Sequence, residues 1–200
     1  MADSYFSVEN ISQGLYKDKG SKFISFAVPV KSVDEVNTIL AHYRKEYYDA
    51  RHVCYAYMLG AEREIFRSND DGEPSGTAGK PILGQINSYN LTNVLIVVIR
   101  YFGGILLGTS GLIAAYRNAA KDAIDNARII EHALTKIHKI SFPYDIVSHI
   151  MRIIKDCHAQ ILNTEYQDNT QILTIEVQQA VSTACEEKLD KFSHYGLKRF

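Results

Sequence analysis

Apolar positions along the chain recur with two different periods, and the changes between them mark out its elements. Lys22 to Val30 is dense in β-branched and aromatic residues and predicts a strand. Ser32 with Glu35 three residues on forms a capping box, after which Val33, Val36, Ile39, Leu40, Tyr43 and Tyr47 recur at helical spacing. His52 to Leu59 predicts a second strand, and Gly60 to Gly79 a long loop interrupted in part by Glu64 to Arg67. Pro81 suits the first turn of a short helix carrying Ile82, Leu83, Ile86 and Tyr89. Asn93 to Arg100 is continuously apolar until its final charge, the pattern of a strand buried on both faces. A glycine-rich segment follows. Thr109 or Ser110 is then placed to cap a helix whose Leu112, Ile113, Tyr116, Ala120, Ala123 and Ile124 share one face.

Beyond about residue 130 glycine becomes scarce and the pattern reads strand, helix, strand, turn, strand, helix, strand. The strands fall near Leu134 to Phe142, Gln160 to Tyr166, Gln171 to Val177 and Leu197 to Phe200. The helices fall near Asp145 to His158 and Val181 to His194, and Asp168-Asn169 marks a tight connection between the middle strands. That order is the ferredoxin-like βαββαβ unit. The expectation is an α+β protein of two domains, residues 1–130 and 131–200, joined near residues 126–132.

Composition narrows the classes without choosing a function. At 200 residues, 46% hydrophobic and 22% charged, the chain has a core to bury, which excludes disordered and fibrous classes. Lys and Arg total 22 against 23 Asp and Glu, and residues 1–130 hold 14 of each sign, so binding to an anionic polymer has to be local. The three cysteines, Cys54, Cys157 and Cys185, are far apart and form no CxxC pair, which argues against a disulfide framework or a zinc site. The first twenty residues lack a secretory signal pattern and no apolar run is long enough to span a bilayer, so a cytoplasmic protein without membrane contact is expected.

Eight of the twelve glycines lie between residues 72 and 111, and this concentration points to one site. Two glycine-rich loops, each leading into a helix, are able to aim backbone N–H groups at an anion. The first holds Asp70, Asp71, Gly72, Glu73, Ser75, Gly76, Thr77, Gly79 and Lys80. Its three carboxylates are candidates for cation binding or proton transfer, although Asp-Asp-Gly and Glu-Pro are also ordinary turn formers. The second runs from Arg100 through Gly103, Gly104, Gly108, Thr109, Ser110 and Gly111, at the end of the buried strand. There Arg100 is expected to face solvent or a ligand. Neither loop has phosphate-loop, dinucleotide or nucleophile-elbow spacing, so no catalytic residue is assigned, and no cofactor or metal is expected. Arg51, His52, Lys80, Arg100, Arg117 and Lys121 form a candidate basic patch.

Arg51-His52, the run from Asn69 to Pro81 and the run from Val97 to Gly108 resemble the signature of the IMPACT/YigZ family. The resemblance covers about the first 130 residues. It implies an N-terminal domain similar to the second domain of the fifth small-subunit ribosomal protein. In bacterial YigZ-type members it further implies a ferredoxin-like C-terminal domain similar to the fifth domain of elongation factor G. Eukaryotic relatives regulate translation through a further N-terminal domain not found in this sequence, so that role does not transfer. What the resemblance implies is a binding protein that meets RNA, the ribosome or a translation factor and modulates translation. Two alternatives stand beside it: an enzyme acting on a phosphorylated or nucleotide-like small molecule through the Asp70 to Lys80 loop, and a protein-interaction regulator working through the C-terminal domain.

Overall fold

A computed structural model describes residues 3–200. The chain divides into two compact units, one spanning Tyr5–His132 and the other built mainly from Ala133–Phe200. Each has its own apolar core.

The first unit is built on an antiparallel five-stranded sheet. Its strands are β2 (Ser12–Asp18), β3 (Ser21–Pro29), β4 (His52–Leu59), β5 (Ile65–Asn69) and β6 (Val94–Tyr101), in the order β2-β3-β6-β4-β5. Helix α1 (Val33–Glu46) covers one face, while α2 (Gly79–Ser88) and α3 (Gly108–Asp125) cover the other. Central β6 therefore feeds both cores. Val94, Ile96 and Val98 meet α2 and α3, and Leu95, Val97 and Ile99 meet the α1 side. The continuous apolar run of the sequence thus has its physical cause in helices on both faces of an antiparallel sheet. A separate two-stranded pairing joins β1 (Ser4–Val8) to β7 (Ile129–Ala133).

The capping box at α1 forms in a shifted version. Ser32 accepts from the Glu35 N–H at 3.2 Å, while the Glu35 carboxylate reaches back to the Lys31 N–H at 2.7 Å. The cap expected at α3 does not form: Leu107 occupies that place and no side chain caps the helix. The loop expected over Gly60 to Gly79 contains a full strand, β5, in a hairpin with β4. Strands β1, β2 and β7 have no counterpart in the sequence-based expectation. Strand β2 is an edge strand with Gln13, Leu15 and Lys17 exposed, so its residues carry little apolar alternation.

The second unit is an antiparallel sheet of β8 (Thr135–Pro143), β9 (Gln160–Gln167), β10 (Thr170–Gln178) and β11 (Lys198–Arg199), ordered β11-β8-β10-β9. A 3-10 turn at Tyr144–Ile146 leads into α4 (Val147–Asp156), and α5 (Gln179–Asp190) follows β10. This is the βαββαβ order, with the first and third strands central. Ile150, Ile153 and Ile154 of α4 and Cys185 and Leu189 of α5 pack on Ile140, Phe142, Leu173, Ile175 and Val177. The helices are shorter than the expected Asp145 to His158 and Val181 to His194, because each ends or begins in tighter 3-10 turns.

Candidate functional site

The two glycine-rich segments meet at a cleft of about 410 Å³ on the first unit. Strand register explains how its floor is built. Phe23 of β3 lies opposite Arg100 of β6, and Arg100 lies opposite His52 of β4. Three residues from three adjacent strands thus stand side by side on the α2/α3 face. The loop after β5 brings Gly72, Glu73 and Pro74 to the rim, and the β6–α3 connection brings Phe102, Leu106 and Leu107.

Of the two surroundings expected for Arg100, solvent or a ligand, the first does not hold. Its side chain is only 7% exposed, and its Nη1 donates to Glu73 Oε1 at 2.6 Å. The guanidinium carbon sits 5.5 Å from the Phe23 ring centroid and 5.6 Å from that of Phe102. Strand β6 ends beneath the Glu73 loop, so the charge that closes the apolar run is covered by protein. The Tyr116 hydroxyl donates to the same Glu73 oxygen at 2.8 Å and accepts from Cys54 Sγ at 3.3 Å. Burial is the leading cause that pushes the Tyr116 hydroxyl and the Cys54 thiol far up, so both keep their protons and serve as donors. Arg100 Nε has no hydrogen-bond partner.

His52 Nδ1 donates to the Asp71 carbonyl at 2.8 Å, which fixes the tautomer and directs Nε2 elsewhere, 3.9 Å from Glu73 Oε1. The three carboxylates of the first loop are turned to three separate tasks. Asp70 accepts from the N–H groups of Gly76, Ala78 and Gly79. Burial acts to raise its pKa, but these bonds and Lys80 outweigh that and hold the carboxyl below its usual range. Asp71 accepts from the Val53 N–H and from Arg44 Nη2, both at 2.7 Å. Glu73 pairs with Arg100. Among the described residues no three His, Cys, Asp or Glu side chains converge on a point that a metal ion would occupy.

The candidate patch is divided. Arg51, His52 and Arg100 line the cleft, whereas Lys80, Arg117 and Lys121 do not. Lys121 is paired with Asp125 at 2.5 Å, which also accepts from the Tyr89 hydroxyl. Gly108 and Thr109 line the cleft; Ser75, Gly104 and Ser110 are exposed, Gly76 and Gly111 are half-buried, and the Thr77 hydroxyl is used on the Pro74 carbonyl. Two glycines serve close packing instead of ligand approach. A Cβ on Gly79 would lie 2.6 Å from the Asn69 nitrogen, and one on Gly103 only 1.9 Å from the Gly20 carbonyl carbon. Cys54 and Tyr116 escaped the sequence reading as site residues. The one available signal was that Cys54 lies two residues from His52 on a strand and so shares its face.

Fold and cleft together define a two-unit α+β protein with a pocket at the start of α3. The Impact N-terminal domain family model matches residues 19–124. The IMPACT family member YvyE of Bacillus subtilis is 32% identical over 174 residues, 87% of this chain and 80% of its own. YigZ of Escherichia coli K12, also an IMPACT family member, is 32% identical over 182 residues, 90% of this chain and 89% of its own. A crystal structure described as that of an hypothetical protein superposes with a TM-score of 0.74 at 29% identity, covering 100% of this chain and 98% of the other. The chain belongs to the IMPACT family. No helix among the described residues is long and apolar enough to cross a membrane.

Proposed function

We propose that this chain is a binding module acting in translation, meeting RNA or a ribosomal surface through the cleft at the start of α3. One observation carries the reading: Arg51 is exposed on the cleft without a partner among the described residues, beside a helix start that no side chain caps. The first backbone N–H groups of an α-helix have no intrahelical acceptors, and the macrodipole adds positive potential there. Such a place favours phosphate oxygens. The family resemblance supports the link to translation. It also supports likening the first unit to the second domain of the fifth small-subunit ribosomal protein and the second to the fifth domain of elongation factor G; the βαββαβ order agrees with the latter. No observation in the Asp70 to Lys80 loop favours an enzyme there, because Asp70, Asp71 and Glu73 are each engaged in holding the fold.

The test is co-sedimentation with ribosomes and their subunits on sucrose gradients at low and physiological salt, with Arg51→Ala alongside. The wild type is expected to travel with one subunit, less so as salt rises. Loss of a single phosphate contact is expected to lower the salt slope by about 1. Failure to move with ribosomes at any salt overturns the reading. Arg100→Ala is a poor probe, since it strips the buried Glu73 of its partner.

A further inference from the structure

We propose that the connection between β6 and α3 is a docking surface for a protein, and that its occupant is an acidic segment carrying large apolar side chains. This goes beyond the reading above, which uses the polar end of the cleft and leaves its apolar wall without a task.

Exposure is the first consideration. Phe102 is 44% exposed, Ile105 55% and Leu106 82%. Nowhere else among the described residues do three large apolar side chains stand exposed within five consecutive positions. A single exposed leucine is ordinary, whereas a cluster keeps apolar area in water until a partner covers it. Behind this tip lies the cleft of about 410 Å³, whose wall continues through Pro74, Leu107 and Leu112. An apolar side chain entering there is enclosed on several sides, which is how the anchor residue of an interface gains its burial.

The connection is also fixed at its base. Gly103 lies against the backbone of Gly20 in the β2–β3 turn, and its N–H donates to Ser21 Oγ at 3.2 Å. The Phe102 ring centroid is 5.6 Å from the Arg100 guanidinium carbon. Gly104, at φ +89° and with nothing within 4 Å of where a Cβ would stand, lets the chain turn away from that base and carry Ile105 and Leu106 outward. A surface held in place before binding loses little conformational entropy when a partner arrives.

Charge selects the occupant. The β2–β3 segment that supports Gly103 exposes Lys17, Lys19 and Lys22, with a half-buried Asp18 as its one acid. Arg51 adds an exposed guanidinium at the rim of the cleft. The carboxylate lining the cleft, Glu73, is buried and paired with Arg100, and Asp49 accepts from the Tyr101 hydroxyl at 2.8 Å. The border of the apolar tip is therefore net positive and complements an acidic partner. Aliphatic side chains give a base nothing to stack on, and the Phe102 ring already carries Arg100, so this wall suits apolar side chains better than nucleotides. A lipid surface would cover the projecting tip and leave the concave wall behind it in water. A protein segment covers both.

The experiment is selection of a random-peptide phage library on the immobilised full chain, with counter-selection on Leu106→Ser, followed by fluorescence anisotropy of the enriched peptides made synthetically. Enriched peptides are expected to combine Asp or Glu with Leu, Ile or Phe, and to bind more weakly as salt rises. Leu106→Ser and Ile105→Ser, both at exposed positions, are expected to keep the wild-type melting temperature and each to weaken binding about tenfold. The double variant Lys19→Ala/Arg51→Ala is expected to weaken it at least about threefold, and a peptide with Lys in place of every acid to lose it. Three outcomes overturn the proposal. The first is no enrichment over Leu106→Ser. The second is enriched peptides that are basic, or that bind Leu106→Ser as well as the wild type. The third is phosphatidylglycerol vesicles, or a short single-stranded RNA, binding in a Leu106-dependent way and tighter than every enriched peptide. Ribosome co-sedimentation that depends on Arg51 while no peptide is enriched overturns this docking surface and leaves the translation reading standing.

Discussion

At Arg100 the chain places a permanent charge in its core and surrounds it with Glu73, Phe23 and Phe102. Removing one member of a buried pair leaves the other uncompensated, whereas replacing both by apolar groups is often near neutral. Arg100→Met is therefore expected to cost about 3–5 kcal/mol in urea unfolding, and the double replacement Arg100→Met/Glu73→Leu to cost less than Arg100→Met alone. A double variant weaker than the single would show that the pair is not the unit of stability. Asp70 offers a pH test. Its folded pKa is depressed, so the stability it contributes is fully present above the unfolded carboxylate value and is lost as pH falls through the lower, folded one. Asp70→Ala is expected to lose about 1–3 kcal/mol at neutral pH. The gap from wild type should close in acid, and a gap independent of pH would contradict this role.

Glycine placement decides how neighbouring elements approach. Gly103, between β6 and α3, lies against the backbone of Gly20 in the β2–β3 turn, and its N–H donates to Ser21 Oγ at 3.2 Å. A methyl group there has only backbone to displace, so Gly103→Ala is expected to destabilise by about 1–3 kcal/mol. Thermal unfolding checks it, and an unchanged melting temperature would show that the loop yields. Composition does not distinguish a glycine in open surroundings, such as Gly108, from one that lets two backbones touch, such as Gly103.

Each unit of the whole molecule encloses its own core, one laid on both faces of the five-stranded sheet and one beneath the four-stranded sheet. Fragments 5–132 and 133–200 are accordingly each expected to unfold cooperatively in urea. The second, being small, is expected to have only about 3–5 kcal/mol of stability. A fragment 133–200 that melts without a cooperative transition would show that its core is insufficient alone.

Patterns of period two and period 3.6 were enough to read α1, α2, α3, β3, β4, β6 and the βαββαβ order of the second half, because burial of one face or both is written directly in the spacing of apolar residues. Apart from periodicity, the concentration of glycines between residues 72 and 111 marked the segments that meet at the cleft. Three features were decided only by the tertiary structure. Edge strands such as β2 owe their form to a partner's backbone, which leaves no apolar signature. The start of α3 shows hydroxyls at Thr109 and Ser110 that were ready to cap, yet where the helix begins leaves its N–H groups open. Arg100, at a strand's end, was expected to face solvent or a ligand; cross-strand register set it beside His52 and Phe23, and a loop remote in sequence placed Glu73 over it. Charge and hydrogen bonding act through space between residues distant along the chain, so the pairing of Glu73 with Arg100, and the donor left over, emerged only once the chain was folded.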